Sequence, residues 1–85
     1  MNSEFEKSFE LTKSFTSRPT NDELLLLYAL YKQATEGDNV DDRPGGFDFK
    51  AIAKHDAWVQ QKGKTNEQAQ QEYITLVGKL KQDYS

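Results

Sequence analysis

The apolar positions of the chain fall into four blocks of helical period, separated by polar connections. In the first, Phe5, Phe9, Thr12 and Phe15 lie on one stripe, which predicts a helix from about Glu4 to Phe15. Ser3 and Glu6 have the spacing of a capping box at its start, and Arg18-Pro19 ends the segment. In the second block, Leu24, Leu27, Leu30, Tyr31 and Ala34 share a face at about 100° per residue. The predicted helix runs from Asp22 to about Glu36, opened by a Thr20–Glu23 capping box and closed by Gly37 as a left-handed cap. The third block is the least regular. A helix from Phe49 to Lys62 behind Asp48 as N-cap carries a small-residue face, Ala53 and Ala57, and a second stripe of Phe49, Ile52, His55 and Val59. It reads as a helix touched on two sides and terminated by Gly63. The fourth block is the clearest: Ala69, Tyr73, Leu76, Val77, Leu80 and Tyr84, behind a Thr65–Gln68 capping box. Residues 38–47 form a polar loop. The predicted fold is an all-α four-helix bundle with a long loop between helices 2 and 3.

Composition narrows this picture. Eighty-five residues make one domain, 1–85, with a thin margin of stability. Leu, Ile, Val and Phe supply only about a fifth of the chain. The net charge of −3 and the helical periodicity nonetheless argue against disorder. There is no cysteine, hence no disulfide framework. The first six residues are polar and acidic, unlike a signal peptide. The longest apolar run, Leu24 to Tyr31, is too short to span a bilayer. A soluble cytoplasmic monomer is the expectation. Basic residues interleaved with acidic ones count against a nucleic-acid surface.

Candidate chemistry is sparse. Counted from Asp38, the third and twelfth positions of a calcium loop would be Val40 and Phe49, which lack oxygen ligands. Gly45-Gly46 is not followed by the Lys and hydroxyl residue of a phosphate loop, so these glycines read as turn-formers. The lone His55 is followed directly by Asp56, and adjacent helical residues point apart, so the two are not expected to form a base–orienter couple. No enzyme activity, metal site or cofactor is expected. What remains is a pattern of phenols and ammonium groups: Tyr28 and Lys32, four apart on one helix, and Lys50 and Lys54, four apart on the next. An apolar wall edged by such groups suits a ligand with a greasy part and an anionic part. On spacing alone, the structural reading comes first: the tyrosines as core residues and the lysines as solvated or salt-bridged ones.

An ordered string carries further information: Tyr28-Ala29-Leu30-Tyr31-Lys32-Gln33-Ala34-Thr35, Gly37-Asp38, Arg43-Pro44-Gly45, Asp48-Phe49-Lys50, Ala53-Lys54, Asp56-Ala57-Trp58 and Lys62-Gly63. In this string the chain resembles the acyl-CoA-binding protein family, essentially end to end. The resemblance implies an up-down-down-up bundle with helix 4 on helix 1 and the long loop crossing over. It implies an intracellular carrier and pool former for medium- and long-chain acyl-CoA, with acyl-CoA-using enzymes as partners. It assigns ligand contacts to Lys13, Tyr28, Tyr31, Lys32, Lys50, Lys54 and Tyr73, with Ala29 and Leu30 lining the pocket. Two residues depart from the family pattern. His55 stands where an aromatic is usual, and Phe9 is larger than the small residue common there, which would narrow the groove near helix 1. A helical protein-interaction module that has lost the ligand is the alternative from another class, and an acyl-CoA thioesterase a third.

Overall fold

In a computed structural model describing residues 3–84, the chain forms α1 (Ser3–Thr12), α2 (Asn21–Glu36), α3 (Phe49–Val59) and α4 (Asn66–Tyr84), with no strand among the described residues. Met1, Asn2 and Ser85, which the sequence reading assigns to the same domain, lie outside the described residues. The helices pack in the order α1–α4–α2–α3, so that α2 is flanked by α4 and α3, and α1 rests on α4. The body is a slab of 36 × 27 × 15 Å.

The caps at α2 and α4 form as the spacing demands. Thr20 Oγ1 accepts from the Glu23 N–H at 3.2 Å while the Glu23 carboxylate accepts from the Thr20 N–H at 2.9 Å. Thr65 and Gln68 repeat the exchange at 3.1 and 2.9 Å. Asp48 caps α3 by accepting from the Ala51 N–H at 3.1 Å.

Three boundaries differ from expectation. α1 begins on Ser3 itself and stops at Thr12 instead of Phe15. Lys13 and Ser14 donate to carbonyls three residues back, and the Ser14 hydroxyl competes for the same Leu11 carbonyl, so the ladder tightens and ends. α3 stops at Val59, short of Lys62, because Gln61 and Lys62 likewise donate three residues back. Gly37 does end α2 at positive φ, but with φ 82° and ψ −153° it lies outside the left-handed helical well.

The core is built by α1, α2 and α4. Phe5, Leu27, Leu30, Ala34, Ala69, Tyr73, Val77 and Leu80 are buried together, with Phe9, Phe15, Leu24 and Tyr31 packed against them. Aromatic rings bridge the helices: Phe5 stacks on Tyr31 at 5.6 Å and meets Tyr73 edge-on at 5.0 Å, and Phe9 lies 5.0 Å from Tyr31.

α3 stands apart from this core. Its expected stripe is not buried, since Phe49 and Val59 are exposed, and Trp58 is the buried residue instead. The reason is that α3 meets only one helix, α2. Its second contact is the 38–47 loop: Arg43 holds Asp56 through two bonds of 3.0 Å, and His55 Nε2 faces the Asp41 carbonyl at 3.0 Å. The helix is thus touched on two sides, by one helix and one loop.

Polar bonds tie the end of α2 to the α3–α4 turn. Trp58 Nε1 donates to the Gly37 carbonyl at 2.8 Å. The buried Gln33 amide donates to Asp38 and to the Lys64 carbonyl, and Asp38 also accepts from the Gly63 N–H. At the other end, Tyr84 donates to Glu23 at 2.7 Å, and its carbonyl accepts from the Thr16 and Ser17 N–H groups.

These bonds make folding sensitive to acid. The Gly63 N–H and then the Gln33 amide hold the Asp38 carboxyl below the usual carboxylate range. Tyr84 and the Thr20 N–H do the same for Glu23. A depressed folded pKa contributes stability above the unfolded value, about 3.9 for Asp. That contribution is lost as pH falls through the folded pKa. Asp38→Asn is expected to lower Tm at neutral pH and to flatten its fall in acid. Thermal melts across an acid series check this, and parallel acid limbs for variant and parent would count against the Asp38 tie.

Candidate functional site

The loose seam between α2 and α3 leaves a cleft of about 630 Å³, lined by Arg18, Asn21, Leu24, Leu25, Tyr28, Phe49, Lys50, Ala53 and Lys54. Its position follows from the packing. α3 rests on α2 alone among the helices, and no residue of α1 or α4 lines the cleft. The walls divide by chemistry. Leu24, Leu25, Phe49 and Ala53 are apolar, Arg18, Lys50 and Lys54 are cationic, and no carboxylate lines the cleft. In a chain of net charge −3 this is a local reversal of sign. Lys54 Nζ lies 5.2 Å above the Tyr28 ring, and Arg18 donates to Asn21 at 3.0 Å.

Of the residues singled out in the sequence, Tyr28, Lys50 and Lys54 converge here. Lys32, one helical turn from Tyr28 and within reach of its charge, is not among the residues that line the cleft. It pairs with Glu36, one turn on, and lies 5.0 Å over the Trp58 ring. The bond to Glu36 raises its pKa, and partial burial opposes that. Lys13 pairs with Glu10 at 3.3 Å and sits 4.8 Å over Phe9, which in turn packs on Tyr31. Phe9 therefore lies between Lys13 and Tyr31.

Tyr73 is buried, and desolvation pushes its phenol up to about 12, with a hydrogen bond from Thr12 opposing. It lines an adjoining hollow with Thr12, Phe15 and Leu27, and this hollow shares Arg18 and Leu24 with the main cleft. Ala29 and Leu30 are placed differently from the expected pocket lining. Both are buried, Leu30 within the α1–α2–α4 core and Ala29 beneath a second hollow, with Ala57, that shares Leu25 and Ala53 with the main cleft. Residues one and two after Tyr28 turn away from the face that carries it.

Sequence reasoning did not find Arg18, Asn21, Leu24, Leu25, Phe49 or Ala53 as cleft residues. Phe49 and Ala53 were legible only as packing, Arg18 belongs to the connection before α2, and Asn21 is the first residue of α2. Arg43 is engaged by Asp56 and serves the loop. The expected separation of His55 from Asp56 is corrected: His55 Nδ1 reaches Asp56 Oδ1 at 3.4 Å, because both side chains bend toward the same loop. The arrangement still presents no ring nitrogen to the cleft, since Nε2 faces the Asp41 carbonyl. Among the described residues no group of three or more His, Cys, Asp or Glu could hold a metal ion. No helix among them is long and apolar enough to cross a membrane.

Comparison with known proteins adds independent information. Residues 2–77 match the family described as Acyl CoA binding protein. The chain is 52% identical over 82 residues to the acyl-CoA-binding protein homolog of Drosophila melanogaster, covering 96% of this chain and 95% of that one. It is 48% identical over 81 residues to the acyl-CoA-binding protein of Saccharomyces cerevisiae, covering 95% and 93%. Among solved structures, acyl-CoA-binding protein 2 of Oryza sativa is similar with a TM-score of 0.89 at 44% identity, covering 94% of this chain and 89% of that one. The solution structure of the yeast acyl coenzyme A binding protein is similar with a TM-score of 0.78 at 46% identity, covering 100% and 99%.

Proposed function

The chain belongs to the acyl-CoA-binding protein family, and from that premise we propose that it binds medium- and long-chain acyl-CoA esters as a non-catalytic carrier. A cytoplasmic monomer that hands its ligand to acyl-CoA-using enzymes is the form this reading takes. The observation that carries it is the convergence of Lys50 and Lys54 from α3 with Tyr28 from α2 on a cleft without carboxylates.

Each part of the ligand finds a matching wall. Coenzyme A is anionic at its 3′-phosphate and pyrophosphate, and Lys50, Lys54 and Arg18 are the cations within the cleft. Charge-assisted bonds of this kind contribute ~1.5–3 kcal/mol each. Adenine stacks on Tyr28, a contact worth ~1–3 kcal/mol. Leu24, Leu25, Phe49 and Ala53 take the acyl chain. The adjoining hollow extends the site toward Tyr73, bringing in Tyr31 and, beyond Phe9, Lys13. Lys32 already has Glu36 and Trp58 as partners, so its ammonium is held in place for a phosphate rather than recruited from solvent. The sole histidine and the absence of cysteine leave no activated nucleophile for ester hydrolysis.

Lys54→Ala is expected to weaken an acyl-CoA ester by about 10- to 100-fold with the fold intact. Calorimetric titration of parent and variant with an acyl-CoA ester and its dephospho counterpart checks this. Failure of the parent to bind would overturn the carrier reading. Equal losses for both esters would show that Lys54 does not read the 3′-phosphate.

A further inference from the structure

The α2–α3 seam does not end where the cleft ends. A second hollow, of about 300 Å³, continues it along α2 to Leu26 and Ala29 and along α3 to Ala57 and Gln60. Leu25 and Ala53 line both spaces, so the two meet at this pair. The hollow exists because the residues facing it are small. Ala53 and Ala57 stand one turn apart on α3 and are half-buried, and Ala29 of α2 is fully buried beneath. A longer side chain at Ala57 would fill the space.

The two ends of the seam carry opposite charge. Arg18, Lys50 and Lys54 line the cleft with no carboxylate, whereas Asp22 and Asp56 line the hollow with no cation. An anionic head group is drawn to the first end and repelled by the second, while an alkyl chain responds to neither sign. Two polar groups at the hollow are already partnered: Asp56 by Arg43, and Gln61 by the Lys64 ammonium at 2.6 Å. An apolar chain entering there leaves those bonds in place. The other way out of the cleft, toward Tyr73, passes Arg18 and the hydroxyl residues Thr12, Thr16 and Ser17, a lining suited to polar atoms.

We propose that the distal part of a long acyl chain passes between Leu25 and Ala53 and ends in the second hollow, with Ala57 as the residue that sets how long a tail the protein holds. The inference rests on the carrier reading and adds to it a direction for the ester, cations at its head and the alanine-lined hollow at its methyl end.

Calorimetric titration of parent and Ala57→Leu with octanoyl- and hexadecanoyl-CoA tests this. Ala57→Leu is expected to weaken the hexadecanoyl ester by about tenfold, since several methylenes lose their burial, and to leave the octanoyl ester unchanged. The parent supplies a second test independent of any substitution. Replacing the octanoyl by the hexadecanoyl ester keeps the head group constant, so amide resonances that differ between the two complexes report the added tail. Those of Ala57, Gln60 and Gln61 are expected to differ. Equal losses for both esters or for neither, or amides at these residues that do not distinguish the two complexes, would overturn the placement of the tail and leave the carrier reading standing. A parent that binds neither ester would overturn the carrier reading and this proposal with it.

Discussion

Phe5→Ala is expected to cost ~3–5 kcal/mol of folding stability, the largest single-residue effect in this protein. Phe5 is the residue by which α1 reaches beyond α4. Its ring is buried, stacked on Tyr31 of α2 and edge-on to Tyr73 of α4. The only helix backbone close to α1 is that of α4, so the interior between α1 and α2 is filled by aromatic side chains. Removing the ring deletes apolar surface and leaves a cavity that its neighbours can fill only by abandoning their mutual packing. Domains of this size hold on the order of 5–10 kcal/mol in total. A fall in Tm of roughly 15 °C or more is therefore expected. Thermal melts by circular dichroism check it, with Phe47→Ala as the matched control: the same deletion at an exposed ring. A loss of only a few degrees at Phe5 would mean that α1 is held by something other than this cluster.

The contrast between Phe5 and Phe49 shows how far the sequence could be read. Phe5 lies on a stripe repeated at helical spacing, and the stripe has one solution: it faces the core. Likewise the α2 and α4 stripes are buried where their period places them, and their capping boxes form, because both depend on residues within one or two turns. Phe49 also belongs to a stripe, yet it is exposed. Whether a stripe is covered depends on which helices lie opposite, and α3 has only α2. That information sits in the 38–47 loop and in the Arg43–Asp56 and Trp58–Gly37 bonds, which join residues 13 and 21 positions apart.

The cleft divides the same way. Tyr28, Lys50 and Lys54 were legible because i, i+4 spacing and the family string put them in view. Arg18 and Asn21 were not, because a connection and the first residue of a helix carry no period. Ala29 and Leu30 came into view only through the family resemblance, and helical rotation takes both off the face of Tyr28. Tyr73 serves the core and lines the hollow beside the cleft, and Tyr31 packs on it, so residues that hold α1 in place also limit that hollow.

Affinity is expected to climb by about 10²–10⁴ from octanoyl- to hexadecanoyl-CoA, and to be lowest for free coenzyme A. Full burial of a methylene contributes ~0.8 kcal/mol, but the cleft is open along one side, so roughly half of that applies to much of the chain. Adding roughly eight methylenes then contributes ~3–6 kcal/mol. That exceeds the ~1.5–3 kcal/mol of any one charge-assisted contact. The division of labour follows from these magnitudes. In the proposed binding mode Lys50, Lys54 and Tyr28 would fix where the head group sits, and the apolar walls would set how tightly the whole ester is held. The cationic groups are exposed or half-exposed, so salt weakens the head-group share and leaves the tail share intact. Calorimetry over a graded ester series at two salt concentrations separates the two. A series flat in chain length would remove the tail from the cleft. A length dependence accompanied by a heat-capacity change that grows more negative with each added methylene would place it against Leu24, Leu25, Phe49 and Ala53.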